Sequence, residues 1–133
     1  MNIEIPIWYG ELLDKLSILE IKKEKITDED KLENVVYEFN ILKKLSNEIE
    51  QNYKNVFEDL YKRLIEINRK LWEIEDEIRI LEANKDFNEK FIQLARSVYI
   101  VNDERFEQKK LINKTFGSEI MEEKQYIKYK WLN

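Results

Sequence analysis

The 133 residues include 28 acidic and 23 basic side chains, for a net charge of −5. They are 38% charged and 43% hydrophobic, with two glycines and one proline. There is no cysteine or histidine. That excludes disulfides, thiol nucleophiles, histidine-based triads and zinc sites of the thiolate or imidazole kind, and leaves oxygen-ligated ions such as magnesium. Charges of both signs are interleaved without a basic block, which disfavours nucleic acid as a partner. The composition predicts an all-α fold, one helical domain over residues 1–133, with few turns and charged outer faces.

In chain order, Ile3, Ile5 and Ile7 alternate with Glu4 and Pro6, which predicts a short edge strand. At the other end, Ile127, Tyr129 and Trp131 alternate with Tyr126, Lys128 and Lys130. The two termini are expected to pair as a short two-stranded ribbon. The opening MNIEIPIWYG lacks the basic and apolar regions of a signal peptide, and no apolar window is long enough to span a membrane. A cytoplasmic protein with no membrane partner is the expectation.

The first helix is expected from Trp8 to Lys25. Leu12, Leu16 and Leu19 lie on one face of it and Ile18 and Ile21 nearly opposite, so other helices should surround it. Thr27 with Asp30 predicts the cap of a second helix, built on Leu32, Val35, Phe39, Leu42, Leu45 and Ile49 and ending near residues 52–55. In the third helix, Phe57, Leu60, Leu64, Ile67, Leu71, Ile74, Ile78 and Leu81 step by three and four. That is the seam of a rod roughly 40 Å long in a long antiparallel pair or coiled coil. Asp86 with Glu89 predicts the cap of a fourth helix through Thr115. Gly117 and Ser118 predict a stop and a short fifth helix to Lys124, with Glu122 and Glu123 facing solvent.

Several polar residues interrupt apolar faces. Asn102, Arg105 and Lys109 fall on the stripe of Phe91 and Val98. Asn68, Trp72, Glu75 and Arg79 form a second stripe beside the third helix's seam, and the first helix carries Asp14, Lys15, Ser17 and Glu20. Burying an unpaired charge is very costly, so these groups need partners. They fit two arrangements. In one, Glu20 and Glu75 satisfy Arg79, Arg105 and Lys109 in an internal network that fixes helix register. In the other, the cations and Asn102 hold a carboxylate, phosphate or pyrophosphate, Trp72 lies against a sugar or base, and Glu20 or Glu75 serves as general base. Magnesium would then rest on Asp76 and ligand oxygens.

The blocks GELLDKLSILEIKKEKI (10–26), LWEIEDEIR (71–79), FIQLARSVYIVNDERFEQKKLIN (91–113) and GSEIMEEKQY (117–126) resemble those of a family of small bacterial and phage proteins classed as a domain of unknown function. The pattern is similar at Glu11, Asp14, Lys15, Glu20, Lys22, Trp72, Glu75, Asp76, Arg79, Asn102, Asp103, Arg105, Lys109 and Asn113. Phe106 stands where the pattern has a small residue. The resemblance implies a genomic setting near surface-polysaccharide and glycosyltransferase genes and carries no activity.

The expected function is therefore binding of a small anion, a sugar nucleotide or phosphorylated sugar. Arg79, Arg105 and Lys109 would grip it, and Asp14, Lys15, Trp72, Asn102, Asp103 and Asn113 would complete the site. The alternatives are a homodimerising scaffold whose charges only set register, and a magnesium phosphohydrolase with Glu73, Asp76 and Glu77 as half of its carboxylates.

Overall fold

The computed structural model describes residues 1–118 and 122–129, and the described residues form four helices and no strand. They are α1 (Tyr9–Lys25), α2 (Glu29–Asn52), α3 (Lys54–Ala83) and α4 (Glu89–Thr115). Helix α1 packs against all three others. Its Leu12, Leu13, Leu16 and Leu19 join Val35 and Phe39 of α2, Phe57 and Leu64 of α3 and Ile112 of α4 in one core. A helix so enclosed must be apolar on most sides, which is why its leucines and isoleucines are not confined to one stripe.

The ends are set by local chemistry. Asp28 caps α2 by accepting from Lys31 N at 2.9 Å, one residue later than the predicted Thr27. Only Tyr53 separates α2 from α3. Asn88 caps α4 by accepting from Phe91 N at 3.2 Å, in place of the predicted Asp86. Each of these stretches offers several good cap formers, so composition locates the boundary without selecting the capping residue.

Helix α4 ends in a left-handed Gly117, φ 66°. There Ser118 N reaches back to Asn113 O at 2.9 Å, the six-to-one bond of a glycine-stopped helix. The pairs Glu77–Lys90, Arg63–Glu104 and Gln108 with Leu60 O show that α3 and α4 run antiparallel.

The terminal ribbon is not formed. Residues 1–8 and 122–129 adopt no strand. The second segment instead lies as an extended strap along α4. Glu122 pairs with Lys109, Lys124 Nζ sits 5.1 Å from the centre of the Phe106 ring, and Tyr129 packs on Tyr99 while donating to Asp103 at 2.7 Å. Alternating residues suit any extended segment with one face covered, and here a helix supplies the cover. Of the expected fifth helix, residues 119–121 lie outside the described residues and 122–124 are not helical. Trp131 also lies outside them.

Candidate functional site

Gly10, Asp14, Ser17 and Ile21 recur every three or four residues along α1, and all four are buried. This stripe faces α3 and α4. At its upper end the two backbones nearly touch: a Cβ on Gly10 would stand 2.5 Å from Lys109 O and 2.9 Å from Asn113 Oδ1. Only glycine permits that approach. It brings the first turn of α1 under side chains of α4. Gly10 N donates to Asn113 Oδ1 at 2.7 Å and Tyr9 N donates to Ser118 Oγ at 3.1 Å. Trp8, the residue at the cap position, makes no side-chain cap, so α4 and its terminating turn cap α1 in its stead.

One turn along, Asp14 is 1% exposed. Its carboxylate takes Arg105 in a two-pronged contact, Nε to Oδ1 at 2.8 Å and Nη2 to Oδ2. Asn68 Nδ2 adds a donor to Oδ1 at 2.9 Å and also donates to Ser17 Oγ at 2.7 Å. The Ser17 hydroxyl in turn donates to Asp14 O at 2.7 Å. A buried carboxylate is tolerable when a guanidinium and an amide saturate its lone pairs in this way. The hydrogen bonds to Asp14 hold the Arg105 guanidinium above its usual value despite burial.

Lys109, whose side chain is 8% exposed, places Nζ 3.0 Å from Glu11 Oε2 and 3.0 Å from Glu122 Oε2. Burial disfavours its ammonium, but the close pairing with Glu11 and Glu122 outweighs that and raises its pKa above the ordinary lysine value. The sign of the linkage follows. Stability from this ammonium is present in full below 10.5, the ordinary value, and is lost as pH rises through the higher folded-state value. Wild type should be more stable than Lys109→Met at neutral pH, and thermal melts taken at increasing alkalinity should bring the two together.

Beside these paired charges are two buried donors without a partner among the described residues. Asn113 is 1% exposed, and with its oxygen committed to Gly10 its Nδ2 has no hydrogen-bond partner among the described residues. Trp8 Nε1 is likewise buried without one. A buried donor left unpaired costs free energy, which makes these two groups the unusual feature of the cluster.

The expected site residues divide accordingly. Asp14, Arg105, Lys109 and Asn113 come together where α1 crosses α4, with Asn68 between Asp14 and Ser17. Glu20 does not join them. Six residues past Asp14 it points to the far side of α1, where its carboxylate and burial together raise the Tyr61 phenol. It lines a groove of about 550 Å³ with Lys43, Glu50, Phe57 and Arg69. Glu75 pairs with Arg79 at 3.5 Å, one turn along α3, and both are largely exposed, so neither meets Arg105 or Lys109. Lys15 is exposed, 3.8 Å from Glu11. Trp72 and Asn102 are partly buried and Asp76 is exposed. Asp103 accepts from Tyr129, whose hydroxyl it pushes up to about 12.

The acids that meet the bases of α4 thus come from α1 and the strap. Glu11, Gly10 and Glu122 are the partners that periodicity did not single out, and Glu122, expected to face solvent, is the most consequential. Among the described residues no three carboxylates are grouped to hold a metal, and no helix is long and apolar enough to cross a membrane.

The described residues therefore define a four-helix protein whose buried polar side chains, Ser46 of α2 apart, converge on the crossing of α1 and α4. The chain belongs to the family of unknown function DUF6165, whose model matches residues 1–129. No curated protein and no solved structure matches it.

Proposed function

We propose that the chain binds a small phosphate-bearing anion, of the sugar-phosphate or sugar-nucleotide class, at the crossing of α1 and α4. The observation that carries this is the Asn113 amide, fixed by Gly10 at its oxygen and buried without a partner among the described residues at its nitrogen. Phosphoryl oxygens seek N–H donors and the positive end of a helix, and α1 begins here. Lys109 Nζ is one turn away on α4, and Trp8 Nε1 belongs to the residue preceding α1.

The ligand would take the place of the Glu122 carboxylate on Lys109. With Glu122 gone, Glu11, Asp14, Arg105 and Lys109 sum to zero, so an incoming anion meets no net like charge. Asp14 stays committed to Arg105 and Asn68 and holds the frame. The role is binding; the bases expected at Glu20 and Glu75 stand elsewhere. The polysaccharide setting implied by the family resemblance makes sugar phosphates the first class to try.

Thermal melts with inorganic phosphate, a hexose phosphate and a uridine diphosphate sugar test this. A ligand at a hundredfold over its Kd adds about 2.7 kcal/mol, a rise of several degrees. Asn113→Asp keeps the oxygen that caps Gly10 and replaces the free donor by a negative charge, so it should lose the shift, with its helical signal measured alongside because the new charge is buried. Wild type unmoved by all three probes would contradict the proposal.

A further inference from the structure

A groove of about 550 Å³ opens between α2 and α3, with Glu20 of α1 inside it. That volume is in the range of small-molecule sites. Among the described residues no member of α4 lines it, and α2 packs on α1 and α3 but not on α4. The strap lies elsewhere, along α4 from Lys109 to Tyr99. Ser118 and Glu122, which flank residues 119–121, are both held where α1 crosses α4.

Among the described residues, carboxylates in the groove outnumber cations by one. Lys43 Nζ is 2.7 Å from Glu50 Oε2, Arg69 takes Glu24 in a two-pronged contact, and Glu66 is 3.6 Å from Arg63. Glu58 and Lys62 lie one turn apart on α3, in the order that favours attraction. Glu20 is left over: it is partly buried and has no ion pair among the described residues. Near it the Tyr61 hydroxyl is buried with no hydrogen-bond partner among the described residues. Burial and then the Glu20 charge raise that phenol, so the two groups stand close. The adjoining wall already accepts a cation. Lys43 Nζ sits 5.6 Å from the centre of the Phe57 ring, which stacks on Tyr61 with centroids 5.6 Å apart. Aromatic faces attract ammonium groups, and a partly desolvated carboxylate needs a positive partner.

We infer that this groove binds a small organic amine, one primary ammonium on an apolar body. The ammonium pairs with Glu20 and the body lies along Phe57 and Tyr61. A single uncompensated carboxylate calls for one positive charge, and an anion entering here would meet that carboxylate without a free cation to offset it.

This site is independent of the anion site at the crossing of α1 and α4. Calorimetry of the full chain with phenethylamine, phenethyl alcohol and hydrocinnamate tests it, because the three share one body and differ in charge. The amine should bind with a Kd on the order of a millimolar or tighter. The alcohol and the acid should bind at least tenfold more weakly. Glu20→Gln keeps the shape of the side chain and removes its charge, so it should weaken the amine at least tenfold and leave the alcohol unchanged. If that variant does not fold, the wild-type comparison of amine with alcohol decides by itself. No binding of the amine, or an alcohol bound as tightly, overturns the inference. So does a folded Glu20→Gln protein that holds the amine as wild type does.

Discussion

Replacing Arg105 by alanine should destabilise the protein by about 3 kcal/mol, a fall of roughly 10 °C in Tm for a chain of this size. Among the described residues Arg105 is the only cation bonded to Asp14, a carboxylate 1% exposed, and deleting it leaves that charge in the core with Asn68 as its one described side-chain donor. The low end of the range for a broken buried pair is expected because the Arg105 side chain is itself 30% exposed, so water can reach the gap. Urea denaturation gives the value directly. The double variant Asp14→Leu, Arg105→Met removes both charges, and replacing a buried pair by apolar groups is often close to neutral. It should therefore recover most of the loss. If the single and double variants fall equally, the pair does not act as a unit.

Gly10→Ala should also destabilise, against the usual rule for an exposed helical glycine, where alanine gains about 1 kcal/mol. The new methyl would lie 2.5 Å from a backbone carbonyl, which cannot swing aside as a flexible side-chain end would. Overpacking of this kind costs about 1–3 kcal/mol. Parting α1 from α4 would also lengthen the Gly10–Asn113 bond. Thermal melts of the variant check the sign; an alanine variant as stable as wild type would mean that α1 and α4 do not meet so closely.

The periodicity of α3 was legible because its apolar residues have no competing register, and the enclosed α1 was legible because it is apolar nearly all round. The polar interruptions on α4 could be located for the same reason, since Arg105 and Lys109 lie on a buried face, whereas Asn113 entered only through the family resemblance. Their partners were not legible. Glu20 and Asp14 are both acids of α1, and only the 600° between them, a simple helical projection, sends one to Tyr61 and the other to Arg105. Glu75 and Arg79 satisfy each other one turn apart, so neither reaches across to α4. The Glu122–Lys109 contact depends on a strap laid back along α4, and period two in YIKYKW says extended without saying against what. The close approach at Gly10 has a single-residue signal, a glycine inside an otherwise good helix.

Proton–nitrogen correlation spectra recorded while a hexose phosphate is titrated into the labelled protein test the proposed site most directly. The Gly10 amide and the Asn113 side-chain NH2 should shift together and saturate together, with the Tyr9 amide following. Movement confined to residues remote from the crossing of α1 and α4, or no movement at all, would contradict the assignment of this cluster as an anion site.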